Sequence, residues 1–157
     1  MAQGISKHTK ALITLLLAGA IGVAALRLAT KPDAGLKSLA ADFRSANQAE
    51  TIEPMLKLYH LDGSDESDIN LLKVALSYEL GLPIENIVFE PLSGAPEETI
   101  HFSRGGIAYG PTLQPRYKMR VTYKGQDRFS SIFTIGKTDS GIWRFVSVKP
   151  GKTPLIK

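Results

Sequence analysis

Hydrophobic and polar positions divide the chain into three regimes. Ala11 to Leu26, ALITLLLAGAIGVAAL, holds no charged residue, and Thr14 is its only hydroxyl. From Leu36 to Leu80 apolar residues recur every three or four positions, the period of helices buried on one side. Beyond Gly81 the period falls to two, as in strands with one face covered.

The first regime bears on where the chain goes. Lys7 and Lys10 stand before it, Arg27 and Lys31 after it, and small residues lie near its exit, the pattern of an export signal or a membrane anchor. A cleaved signal has an apolar core of about 7 to 15 residues and a spanning helix needs roughly 20. This run has 16 and falls between them. Read as an anchor, it extends past a snorkelling Arg27 to Thr30. Read as a signal, Val23-Ala24-Ala25 offers the small residues a peptidase inspects, with cleavage after Ala25. Both flanks are basic, so charge does not orient the segment; a short flank ahead of a long domain is the signal-anchor layout. The expected organisation is a cytoplasmic flank over 1–10, a transmembrane signal-anchor or signal peptide over 11–30, a linker over 31–35 and one domain over 36–157. That domain is expected outside the cytoplasm, on the cell membrane or, after cleavage, secreted or periplasmic.

In the second regime Leu36, Leu39, Ala40 and Phe43 predict a helix that stops near Asn47. A second helix is predicted to open near Thr51, a capping hydroxyl, with Pro54 in its first turn and Ile52, Met55, Leu56 and Tyr59 on its apolar face. Asp62-Gly63 ends it as a turn. The third has Ser64, Asp65 and Ser67 as caps, Asp65, Glu66 and Asp68 at the positive end of its dipole, and Gly81-Leu82-Pro83 as its stop. Its stripe of Ile69, Leu72, Leu76 and Leu80, flanked by Val74, Ala75 and Tyr78, is wide enough to predict burial against a sheet.

In the third regime short strands are predicted at Ile87 to Phe89, Glu98 to Phe102 and Ile107 to Tyr109, with an irregular crossing between Gly110-Pro111 and Gln114-Pro115. Tyr117, Met119, Val121 and Tyr123 then alternate with Lys118, Arg120, Thr122 and Lys124, so one face is buried and the other is basic and wet. Phe129, Ser131, Phe133 and Ile135 line the next strand, and Trp143 and Phe145 share a face of the last, Ile142 to Val148. Helices first and hairpin strands after is an α+β layout, with helices packed on one face of an antiparallel sheet.

Composition changes the picture in two ways. The isoelectric point of 9.3 suggests a nucleic-acid partner, yet three of the 19 Lys and Arg lie in the first thirty residues; the other 16 face 15 Asp and Glu. A domain of net charge +1 lacks the footprint of a phosphate-backbone binder. The absence of cysteine excludes disulfides, thiolate metal sites and a lipid-modified cysteine, so the core alone must hold the fold.

Leu39-Ala40-Ala41-Asp42-Phe43-Arg44-Ser45-Ala46-Asn47, followed by Met55 to Gly63, resembles the opening helices of the nuclear transport factor two-like superfamily. Asp139-Ser140-Gly141-Ile142-Trp143-Arg144-Phe145-Val146 is similar to that superfamily's final strand. The resemblance implies a curved sheet wrapped by helices into a cone with a pocket. It also implies that an acid or base such as aspartate, histidine or tyrosine would do any isomerase or dehydratase chemistry there.

Candidates for that chemistry are Tyr59, His60 and Asp62 near the exit of the second helix and His101 on a strand. Each has a plainer explanation: Tyr59 in the apolar stripe, Asp62 in the turn, His60 toward solvent. Three histidines with no helical pair do not compose a metal site, and no cofactor is implied. Lys137, in Ile135-Gly136-Lys137-Thr138, echoes a phosphate loop without the strand-to-helix context and reads as a hairpin turn. Lys118, Arg120 and Lys124 form a solvated strand face or a contact surface for acidic headgroups. Two functions follow from different classes. One is a non-catalytic interaction or assembly module, bound to the membrane through its N-terminal helix and to a protein partner or a second copy. The other is a small-molecule pocket with or without catalysis.

Overall fold

The first helix, α1 (Ala34–Asn47), opens two residues before Leu36 because Asp33 caps it: Asp33 Oδ1 accepts the Leu36 N–H at 2.8 Å. Asp33 and Gly35, read from the sequence as linker, thus belong to the helix. Gly35 permits close packing there, since a Cβ would lie 2.6 Å from Trp143 Cδ1. Leu36, Leu39, Phe43, Ala46 and Asn47 form the buried face. Asn47 closes it: Nδ2 donates to the Glu79 carbonyl at 2.7 Å and its own carbonyl accepts the Gly81 N–H at 2.8 Å. The computed structural model describes residues 32–125 and 129–154. The apolar run Ala11 to Leu26, with the anchor and signal readings that rest on it, lies outside the described residues. No helix among the described residues is long and apolar enough to cross a membrane.

Helix α2 (Glu53–Leu56) is one turn long, with Ile52 rather than Thr51 at its cap and no side-chain capping bond. The predicted helical face therefore ends at Leu56. Tyr59 and His60 instead form strand β1 (Tyr59–His60), parallel to a later strand, and Phe145 N–H donates to the Leu58 carbonyl at 2.9 Å. A four-residue helix has too few bonds to repay its nucleation. Tyr59 gains more from ring contact with Phe145 at 5.1 Å across the sheet.

Helix α3 (Glu66–Glu79) follows its sequence signals at both ends: Asp65 accepts the Asp68 N–H at 2.9 Å, and Gly81, at φ +78°, supplies the left-handed stop. Its covered face is narrower than the sequence predicts. Leu76 is buried and Ile69, Leu72 and Leu80 are half-buried, but Leu71, Val74, Ala75 and Tyr78 face solvent. The sheet covers one side of the helix only.

That sheet is curved and five-stranded, in the order β1-β7-β6-β5-β2, and antiparallel except at β1. Its strands are β2 (Ile84–Pro91), β5 (Pro115–Tyr123), β6 (Ser130–Lys137) and β7 (Trp143–Val146). Register aligns Pro91, Tyr117, Ile135, Phe145 and Tyr59 across all five strands, and Phe89, Met119 and Phe133 across three. Alternation thus puts the predicted apolar face of β5 against α1 and α3, where Met119, Val121, Phe133, Ile135, Phe145, Phe43, Met55 and Leu76 make one core. The α+β class, with helices on one face of an antiparallel sheet, is what the residues build.

A second sheet, β3-β4-β8, joins β3 (Phe102–Arg104), β4 (Ile107–Pro111) and β8 (Val148–Pro154). The predicted last strand, Ile142 to Val148, is therefore two strands. They part at Ser147, whose N–H donates to Thr112 Oγ1 at 3.0 Å and whose carbonyl accepts the Thr112 N–H at 2.9 Å. The crossing at Thr112 takes the bonds a neighbouring strand would have used. It passes so close to β6 that a Cβ on Gly136 would lie 2.7 Å from the Gln114 carbonyl oxygen. The predicted strand at Glu98 to Phe102 is displaced too: Pro96–Glu98 is a 3-10 turn. The described residues form a compact unit by themselves.

Candidate functional site

The structure brings two of the predicted chemical residues together. His60 Nε2 lies 3.4 Å from Asp62 Oδ2, yet the Asp62 side chain is 90% exposed and that of His60 22%. His60 is thus largely covered rather than turned to solvent. Its Nδ1 is sealed from water with no partner, so the pair lacks a second nitrogen able to meet a substrate. Tyr59 packs on Phe145, and its phenol is pushed well above its ordinary value by burial first and the Glu79 charge second, which keeps it neutral. His101 is exposed, in the loop before β3 rather than on a strand, with its ring over Gly110. These four residues do not converge on one cavity.

The helix-covered face of the sheet is filled. Phe43, Phe133 and Phe145 pack there with ring centroids 4.9 to 5.7 Å apart. Beside them Glu79 is fully engaged: Tyr123 OH donates to Oε2 and Ser131 OH to Oε1, each at 2.7 Å. A carboxylate with both oxygens committed to hydroxyls ties α3 to β5 and β6 and is not left as a base. Among the described residues, no group of three or more His, Asp and Glu is placed to hold a metal.

The basic stripe of β5 is not the surface its sequence suggests. Lys118 Nζ lies 2.7 Å from Glu98 Oε1 and Arg120 Nε 3.1 Å from Glu90 Oε1, so two of its three cations are neutralised. Lys124 lies beyond the strand, its N–H bonded to the Pro83 carbonyl. Glu98 also accepts from the Ser93 N–H, the Ser93 hydroxyl and the Gly94 N–H, at 2.7 to 3.0 Å. Lys118 first, then Ser93, lower the Glu98 carboxyl from 4.5 to about 2. A lowered carboxylate favours the folded loop above its ordinary value and loses that contribution as pH falls toward the folded one. The Ser93 and Gly94 amide resonances are expected to titrate with a midpoint near 2. A midpoint near 4.5 would mean that the carboxylate is not clamped.

Sequence reasoning missed two features. Arg104 donates from Nη1 to Asp68 Oδ1 at 2.8 Å and from Nη2 to Tyr109 OH at 3.0 Å, while Tyr109 OH donates to Asp65 Oδ2 at 3.1 Å. This network ties the start of α3 to the β3-β4 hairpin, and nothing local in the sequence announces it. The second is the open face of α3, where Leu71 is 61%, Val74 55% and Tyr78 76% exposed. Their spacing of three and four puts them on one side of the helix. Periodicity marks the covered stripe; it does not show that Val74 and Tyr78 beside it, together with Leu71, stay bare.

The sequence matches no protein-family model, and no curated protein matches it.

Proposed function

We propose that this chain is a non-catalytic interaction module, a cone-like domain of the nuclear transport factor two-like kind. Residues 11–30 hold it at a membrane or are removed on export, and the bare side of α3 is where another polypeptide packs. The supporting observation is the contrast between a helix-covered sheet face filled by aromatic rings and a helix that leaves Leu71, Val74 and Tyr78 in water. Isolated apolar side chains on a surface are ordinary; three in register along one helix compose the kind of face another helix reads. Such a face works without an acid, a base or a metal.

The test is a photo-crosslinking amino acid in place of Tyr78 in the full-length chain, irradiated in native membranes. Protein adducts at this position, absent when the same group replaces exposed Glu97, are expected. An adduct at twice the chain mass identifies a second copy as the partner. Adducts equal at both positions, or none, would defeat the reading.

A further inference from the structure

A groove of about 550 Å³ opens at the end of the five-stranded sheet where β5, β6 and β7 meet the loop after β2. Its volume suits a small organic molecule. Tyr117 and Trp143 line it with rings 5.5 Å apart and edge to face, and Leu92 and Ala95 supply an aliphatic wall. The indole is held from its far edge, because Trp143 Nε1 donates to both Asp33 oxygens at 3.1 Å.

The electrostatics of the groove are one-sided. Glu98 lines it, but four donors occupy its carboxylate. Asp33 is committed to Trp143 and to the Leu36 N–H. Arg116 and Lys137 also line it, and neither has an acidic partner among the described residues. Lys137 Nζ lies 5.0 Å from the Trp143 ring centroid, so its charge is held over the aromatic face. Arg116 sits at an irregularity: Pro115 pairs with Gly136 and Tyr117 with Ile135, leaving Arg116 as the extra residue of a bulge. Bulges re-aim side chains out of a strand's alternation.

We propose that this groove binds a small amphiphilic anion, a phosphate or carboxylate carried on an apolar body. The guanidinium of Arg116 and the ammonium of Lys137 take the head; Tyr117, Trp143, Leu92 and Ala95 take the body. Guanidinium forks fit planar or tetrahedral oxyanions, and a partly desolvated aromatic site strengthens the charge-assisted bonds. A soluble organic anion and an anionic phospholipid headgroup share this chemistry. The site is independent of the α3 face, and the two proposals fail separately.

Trp143 is the only tryptophan of the chain, so its indole N–H is a single reporter. In ¹⁵N-labelled full-length protein in uncharged detergent micelles, phenyl phosphate is expected to move that resonance saturably, while neutral benzyl alcohol does not. Doping the micelles with phosphatidylglycerol against phosphatidylcholine tests the headgroup as the source. Arg116→Gln with Lys137→Gln is expected to weaken binding at least about tenfold with the rest of the spectrum intact, and Lys124→Gln to leave it unchanged. A shift with either anion supports the proposal and names its source. No shift with either, an equal shift with the alcohol, or undiminished binding to the double variant overturns it.

Discussion

Phe145→Ala is expected to lower the unfolding free energy by about 3 to 5 kcal/mol, measured by urea denaturation at neutral pH. Phe145 is fully buried, and its ring meets those of Phe43, Phe133 and Tyr59 at 5.7, 4.9 and 5.1 Å. It pairs with Tyr59 on one side and Ile135 on the other, so it lies where the parallel and antiparallel halves of the sheet join. Strand neighbours held by backbone bonds on both sides have little freedom to close the space a lost ring leaves. A loss of that size is a large share of the roughly 5 to 15 kcal/mol that holds a domain of this kind together. Tyr78→Ala is the contrast, expected within about 0.5 kcal/mol because Tyr78 is 76% exposed. Similar losses at the two positions would mean that the core does not lie between α1 and the sheet.

Asp33→Ala is expected to cost about 2 to 4 kcal/mol, from two sources that add. Loss of an N-cap costs about 1 kcal/mol, and leaving the buried Trp143 N–H without an acceptor costs about 1 to 3. Asp33→Asn separates the cap from the indole bond. Asparagine keeps an oxygen for the Leu36 N–H, which Oδ1 accepts at 2.8 Å, but sets an NH2 where Oδ2 accepts from Trp143 Nε1 at 3.1 Å, so two donors meet there. The asparagine variant is therefore expected to keep the cap and to lose about 1 to 3 kcal/mol in the same urea titration. Equal losses for the two substitutions would show that the cap contributes nothing and that the indole bond carries the whole effect.

The candidate chemistry was legible to unequal depths. His60 and Asp62 are two residues apart, and their approach needed only the turn that Asp62-Gly63 signals. The neutralisation of Lys118 and Arg120 was out of reach. Glu98 and Glu90 lie 20 and 30 residues away in sequence, and only the β2-β5 register and the path of the following loop set them opposite these cations. Gly35 shows the same limit from the other side. As a letter next to Pro32 and Asp33 it reads as linker, and contact with an indole more than a hundred residues later makes it a packing residue.

By itself the amino-acid sequence determined the α+β class, the cores of α1 and α3, the cap at Asp65, the stop at Gly81, and which residues of β5 and β7 share a face; in β6 it placed Phe133 and Ile135 correctly, whereas Phe129 precedes the strand and is exposed. These follow from periodicity and capping, which act over a few residues and need no knowledge of the partner surface. Tertiary structure alone decided that Tyr59 is a strand residue, that the sheet divides at Ser147, that the flank of the α3 stripe stays bare, and that Arg116, Lys137 and Trp143 share a groove. Each of these is a choice between locally acceptable arrangements. Contacts between distant parts of the chain make that choice, because burial and hydrogen bonding across the fold outweigh the few tenths of a kcal/mol by which local preferences differ.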